Sequence, residues 1–133
     1  PAVADAAIRE KLADWYIKSR GVELTRMRTL TAMSRGQTPG PENSISKLVS
    51  AFKRQEIALF GMDLLDMGGV MMNRDATPMR ALFQEAALEA PSGRIAAGTD
   101  EIQRNIIGER VLGLPREIRV DKDLPFRDVP TSV

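Results

Sequence analysis

The sequence predicts an all-α fold, an up-down four-helix bundle followed by an extended C-terminal tail. Apolar residues recur at helical spacing in long runs, and glycine and proline clusters divide those runs into four. No stretch shows the apolar–polar alternation of a half-buried strand. Short connections between the runs favour antiparallel neighbours.

The first run extends from Asp5 to Arg35. Ile8, Leu12, Trp15 and Tyr16 share one face, Met27, Leu30 and Met33 continue the stripe, and Gly21 is its weak point. Gly36 is a natural left-handed residue to close it. The loop Gln37 to Asn43, with Pro39 and Pro41 around Gly40, cannot propagate a helix. Asn43 or Ser44 is expected to cap a second helix running to about Met67. Its apolar stripe is Ile45, Leu48, Val49, Phe52, Leu59, Phe60, Leu64 and Met67, while Lys47, Lys53, Arg54 and Asp63 sit off that line as solvated residues. Gly68-Gly69 ends this run.

Thr77-Pro78 then supplies a cap and a first-turn proline for a third helix bearing Met79, Leu82, Phe83 and Ala86. That helix is expected to stop near Ala90, at Pro91-Ser92-Gly93. The fourth runs from Thr99 to Leu112. Residues 1–115 therefore read as the bundle. Residues 116–133 read as a tail that docks, through Leu124, Phe126 and Val129, on the bundle or on a neighbouring subunit.

Composition narrows the function. A chain of 133 residues makes one domain, and 43% hydrophobic with 28% charged residues is ordinary for a globular protein. The net charge of +1, with both signs interleaved, argues against a nucleic-acid partner. With no cysteine and no histidine, disulfides, thiol nucleophiles, Ser-His triads and most zinc sites are excluded. No apolar run has the roughly 18 residues that cross a bilayer. Carboxylate pairs occur at Asp63/Asp66, Asp100/Glu101 and Asp121/Asp123, but without a Glu-x-x-His motif they give no support to a di-iron bundle. The chain opens at Pro1 almost directly into a helical pattern, so it reads as a fragment lacking an upstream helix, with apolar faces of its long helices left exposed.

The most specific stretch is Ala97-Gly98-Thr99-Asp100-Glu101-Ile102-Gln103-Arg104, continued by Asn105 to Pro115. A glycine turn, a threonine cap and an acidic first turn present a helix N-terminus, which suits an anionic or carbonyl-bearing ligand. At Gly98 a ligand can approach the backbone where a Cβ would block it.

These residues resemble the C-terminal helical domain of the acyl-CoA dehydrogenase family. Ala97 to Arg104 looks like its E-G-T-x-E-I-Q-R signature, and Asn105-Ile106-Ile107-Gly108-Glu109-Arg110-Val111-Leu112-Gly113-Leu114-Pro115 is similar to the usual continuation. Pro39-Gly40-Pro41-Glu42, Ser46-Lys47-Leu48 and Leu12-Ala13-Asp14 are also similar to family segments. The resemblance implies FAD as cofactor and oxidation of an acyl-CoA thioester at Cα–Cβ. It further implies electron-transferring flavoprotein as electron acceptor, a homo- or hetero-oligomer, and a cytoplasmic, actinobacterial setting. By resemblance Thr99, Asp100 and Glu101 contact FAD and Ala97-Gly98 lines the acyl thioester. Gly68-Gly69 is similar to the glycine pair that touches the FAD of a neighbouring subunit, with Leu65 where a Gln usually stands.

The family's catalytic Glu is often at the position of Ala97, whose methyl group accepts no proton. Two explanations stay open. In isovaleryl-CoA-dehydrogenase-like members the base comes from an earlier helix of the same domain; alternatively, the parent is the non-catalytic subunit of a mixed enzyme. On either, the fragment alone is expected to be inactive.

Overall fold

The structure, a computed structural model, describes residues 2–116 and 124–129. Among these residues every regular element is helical: α1 (Ala6–Ser34), α2 (Asn43–Leu64), α3 (Leu82–Ile95) and α4 (Asp100–Ile106), with short tight turns between them. Most of the tail, including Asp121/Asp123, lies outside the described residues; Phe126–Asp128 forms a single helical turn.

The sequence signals for α1 are realised at both ends. Asp5 has extended backbone and its carboxylate accepts from the Ala7 N–H at 2.8 Å. At the other end Gly36 has φ +74, with Gly36 N–H on the Met33 carbonyl and Gln37 N–H on the Ala32 carbonyl. This is a Schellman closure, and it needs the left-handed residue that glycine supplies.

Helices α1 and α2 are antiparallel. Trp15 meets Phe60 edge-to-face at 5.2 Å, Lys18 meets Glu56, Lys53 donates to Ser19, and Thr29 lies against Asn43. Helix α3 returns along α2 through Gly61 against Phe83, Arg54 with Glu89, and Gln55 with Arg94. Helix α4 then starts beside α2, where Lys47 meets Gly98.

Four boundaries differ from expectation. Neither Asn43 nor Ser44 caps α2; Glu42 occupies that position without a side-chain bond, and tight bonds from Ser44 N–H to Pro41 and Ile45 N–H to Glu42 start the helix. Helix α2 ends at Leu64, and Gly68-Gly69 falls inside a separate tight turn, Asp66–Val70. Thr77 does not cap α3: its hydroxyl donates to the carbonyls of Met71 and Asn73, and Pro78–Ala81 forms a turn with φ near +55° at Met79, Arg80 and Ala81. That turn delays the helix to Leu82.

The fourth difference is at Pro91, which lies inside α3 instead of ending it. Its ring faces outward, so the loss of one backbone donor near an exposed surface is mild. Past Ile106, α4 widens into a turn with an i→i+5 bond from Leu112 N–H to the Ile107 carbonyl.

The buried seam is made of small residues. Ala58, Ala81 and Ala90 are 1%, 0% and 3% exposed, and Trp15 is the large buried apolar residue among the described ones. The predicted stripe of α2 marks the buried face in part: Ile45, Leu48, Val49 and Phe60 are half-buried, Phe52, Leu59 and Leu64 are exposed, and the fully buried positions are Ala58 and Gly61. Leu12, Tyr16, Met27, Leu30 and Met33 of α1 are exposed as well. Close approach of α2 to α3 explains the small buried residues: a Cβ on Gly61 would collide with the Phe83 ring.

Gly61→Ala should therefore cost about 1–3 kcal/mol of stability through overpacking. Gly21→Ala, with nothing within 4 Å of the added methyl, should raise stability by about 0.5–1 kcal/mol. Urea unfolding measures both, and equal effects would contradict the close α2–α3 contact.

Candidate functional site: an anchored loop at the start of α4

The segment Ile95–Thr99 joins α3 to α4, and α2 holds it in place. Arg94, in the last turn of α3, donates from Nε to the Asp100 carboxylate at 2.6 Å and from a terminal nitrogen to Gln55 Oε1 at 2.8 Å. Its guanidinium also lies 5.0 Å from the centre of the Phe52 ring. Asp100 is 3% exposed. One planar cation thus ties α3 to α4 and both to α2.

Two further side chains grip the loop backbone. Lys47 Nζ donates to the Gly98 carbonyl at 2.6 Å and to the Arg94 carbonyl at 3.2 Å. Gln103 Nε2 donates to the Ala97 carbonyl at 3.0 Å. Lys47 is half-buried and engaged, not solvated as its place off the apolar stripe suggested. Gly98 has φ +98, and a Cβ there would sit 2.6 Å from Gln103 Nε2. The glycine makes room for the amide that holds the loop, a reason for it that lies within the fold. Ala97 also takes a left-handed conformation, φ +55, a disfavoured backbone state for a residue with a side chain.

Thr99 begins α4 as expected. Its backbone is extended, its carbonyl accepts from Gln103 N–H at 2.9 Å, and its hydroxyl accepts weakly from Ile102 N–H at 3.4 Å. The Glu101 carboxyl is held below the usual carboxylate range by its own backbone N–H and then by the Thr99 hydroxyl. Thr99, Asp100 and Glu101 line an open cleft of about 270 Å³ with Gln55, Arg94 and Pro91. Asp100 Oδ1 is buried with no partner among the described residues.

Gly68-Gly69 lies elsewhere. Lys47 is in the first turns of α2 and Gly68 is past its last, roughly 25–30 Å away along the axis at about 1.5 Å per residue. The Gly68 carbonyl accepts from Gln84 Nε2 at 3.0 Å, and Gln84 is 2% exposed. A Cβ on Gly69 would collide with the Met62 carbonyl, so the turn needs glycine there to fold back on α2. The structure thus brings Ala97, Gly98, Thr99, Asp100 and Glu101 together and places Gly68-Gly69 at the other end.

Sequence reasoning missed Arg94, Gln55, Lys47 and Gln84. These act across the tertiary fold, and nothing in their local spacing announces it. Among the described residues no cluster of ligating side chains could hold a metal ion, and no helix is long and apolar enough to cross a membrane.

Comparison with known proteins identifies the family to which this helical bundle belongs. Residues 1–112 match the family model for the acyl-CoA dehydrogenase C-terminal domain. The chain belongs to the acyl-CoA dehydrogenase family. It is 36% identical over 118 residues to acyl-CoA dehydrogenase IpdE1 of Mycolicibacterium smegmatis, covering 89% of this chain and 28% of that protein. It is 31% identical over 112 residues to acyl-CoA dehydrogenase FadE34 of Mycobacterium tuberculosis, covering 84% and 15% respectively. The chain thus spans less than a third of the length of these relatives. In fold it is similar to a chain of the Mycobacterium tuberculosis ChsE4-ChsE5 complex, with TM-score 0.72 at 22% identity over 86% of this chain and 30% of that one. A chain of the Tcur3481-Tcur3483 steroid ACAD gives TM-score 0.71 at 16% identity, over 85% and 30%.

Two outcomes follow from the geometry. Arg94→Met leaves the Asp100 carboxylate buried and unpaired, and should cost about 2–4 kcal/mol. Adding Asp100→Asn should recover part of that loss; strictly additive losses in a denaturation cycle would contradict the pairing. Because the folded value of Glu101 is depressed, its contribution is present above the ordinary carboxylate value and fades as pH falls through the folded one. Thr99→Val should move the Glu101 titration upward, read by carboxyl carbon NMR, and no movement would remove the hydroxyl as a cause.

Proposed function

We propose that this chain is the C-terminal domain of a flavin-dependent acyl-CoA dehydrogenase, which oxidises an acyl-CoA thioester at Cα–Cβ. In that reading Thr99, Asp100 and Glu101 contact FAD, Ala97 and Gly98 line the acyl thioester, and the exposed apolar faces meet other domains and subunits. The observation that carries it is the Ala97–Glu101 segment, fixed by Lys47, Arg94 and Gln103, whose residues Thr99, Asp100 and Glu101 line an open cleft.

The residues present fit one part of the cofactor. Ionised carboxylates at Asp100 and Glu101 only accept hydrogen bonds, and the orphaned Asp100 Oδ1 needs a donor. They suit the hydroxyl and ring N–H donors of a flavin, and they oppose its pyrophosphate. When bound, FAD would supply the hydride acceptor; this chain's residues bind and orient. Gly68-Gly69, far along α2, is assigned to a different flavin, that of a neighbouring subunit. The two regions are not in contact: Gly68-Gly69 lies past the C-terminal end of α2, whereas the cleft sits beside Gln55 and the loop on Lys47.

Ala97 holds no proton acceptor, so the base belongs to another part of the parent protein. A second reading rests on the same residue: the parent is the non-catalytic subunit of a heteromeric dehydrogenase, binding thioester or supporting its partner. The two structural neighbours are each named as two-protein assemblies. Electron-transferring flavoprotein as acceptor and a cytoplasmic, actinobacterial setting complete the proposal; relatives from mycobacteria support the actinobacterial part.

The test is to purify the parent protein, quantify bound flavin, and assay dye reduction with a panel of acyl-CoAs. Stoichiometric FAD with acyl-CoA-dependent turnover is expected from the first reading, and turnover only on addition of a partner subunit from the second. A parent that takes up neither flavin nor acyl-CoA contradicts both. The 133-residue chain by itself should neither retain FAD nor turn over, and a stoichiometric yellow complex would overturn that.

A further inference from the structure

We propose that Gln84 is a positioning residue for the Gly68-Gly69 turn: its buried carboxamide fixes the Gly68 carbonyl and, through it, the glycine edge offered to a neighbouring subunit's flavin. The proposal rests on the reading that this pair meets that flavin, and it adds the residue on α3 that holds the pair in place.

A glutamine is a costly residue at this position. Gln84 is 2% exposed and is the largest fully buried side chain among the described residues. An apolar side chain of similar size would fill the space without the loss of hydration that a buried carboxamide suffers. Only half of that carboxamide is satisfied. Nε2 donates to the Gly68 carbonyl at 3.0 Å, whereas Oε1 is buried with no partner among the described residues. For packing alone, a residue with an orphaned polar atom is a poor choice. What Gln84 does that an apolar residue cannot is hold that carbonyl.

The turn has no comparable anchor of its own. The Gly68 carbonyl also accepts from the Met71 N–H, at a long 3.4 Å. Leu65, which leads into the turn, has an apolar side chain and offers no donor. Sterically the turn is confined on two sides. A Cβ on Gly69 would collide with the Met62 carbonyl of α2, and the Pro78 ring stands 3.7 Å from where a Cβ on Gly68 would be. Gln84 adds the one directional bond from α3, and because the peptide is planar, fixing the Gly68 carbonyl fixes the orientation of the whole Gly68–Gly69 peptide.

The turn stands at the surface. Met67 and Val70, on either side of the pair, are 75% and 72% exposed, and Gly68 is half-buried. A second subunit can reach this edge, and its exposed apolar flanks suit a flat ring system. Gln84 is itself closed off from solvent, so it acts through the glycines and touches no ligand.

The test uses the parent protein as its assembled holoenzyme, stripped of flavin and titrated with FAD. Gln84→Met keeps the bulk and removes the donor and the orphaned oxygen together. It should bind FAD about tenfold more weakly, raise amide exchange over residues 66–71, and leave the urea midpoint close to that of the wild type. Gln84→Glu supplies a readout that a packing role does not move. A protonated carboxyl donates to the Gly68 carbonyl as Nε2 does, whereas a carboxylate only accepts. Burial favours the protonated form. Relative to wild type at each pH, Gln84→Glu should therefore bind FAD equally well at about pH 6 and about tenfold more weakly at about pH 9.

A ratio for Gln84→Glu that does not change with pH, or wild-type FAD affinity in Gln84→Met, overturns the positioning role. So does exchange protection lost evenly over all four helices, which marks Gln84 as packing. If Gln84→Met fails to fold, Gln84→Glu carries the comparison by itself, one protein at two pH values. A wild-type parent that takes up no FAD sinks the functional reading instead. Exchange over residues 66–71 then still decides whether Gln84 holds the turn, because unchanged protection in the variant contradicts that.

Discussion

The ion pair between Arg94 and Asp100 is the constraint on which the site depends. It is buried on the Asp100 side, and its cation reaches Gln55 and Phe52 of α2 as well. Two chain segments that would otherwise move independently, the end of α3 and the start of α4, are thereby fixed to the central helix. Everything proposed for Ala97 to Glu101 follows from that fixing. A loop of five residues with two left-handed positions has no order of its own; it acquires a shape because Arg94, Lys47 and Gln103 hold its ends and its carbonyls.

The distribution of apolar surface is the second general feature. Small residues, Ala58, Gly61, Ala81 and Ala90, fill the tight seam between helices, while large ones on α1 and α2 remain exposed. Close helix approach needs small side chains at the contact. The large apolar residues are then free to meet surfaces outside the described residues. A domain that spans less than a third of its relatives' length is expected to carry such faces, because much of its burial in a larger protein would be against other domains.

Much of this was legible in the sequence. Helical period, Asp5 and Gly36 at the ends of α1, and the Thr99 start of α4 all depend on interactions within a few residues, so the pattern announces them. The family likeness of Gly98 to Pro115 was legible for the same reason. What was not legible depends on contacts distant in sequence. Pro91 looked like a stop because its local chemistry says so, yet it removes only one backbone donor on an exposed face and the helix runs on to Ile95. Lys47 looked solvated because it lies off the apolar stripe, yet its four-carbon stem carries the ammonium to the Gly98 carbonyl. The stripe of α2 told part of the story, since Ile45, Leu48, Val49 and Phe60 do face inward, but a seam built on Gly61 and Ala58 leaves no periodic signal of bulk.

The account's central claim is that the segment from Ala97 to Glu101 faces a flavin and a thioester, held there from behind by α2. An experimental structure of the parent protein with FAD and an acyl-CoA bound tests it most directly. The account predicts flavin donors within hydrogen-bond distance of Thr99, Asp100 or Glu101, the thioester beside Ala97-Gly98, and Gly68-Gly69 against a second subunit's flavin. A structure in which flavin and thioester both contact other elements, with the Ala97–Glu101 segment against solvent, would contradict it.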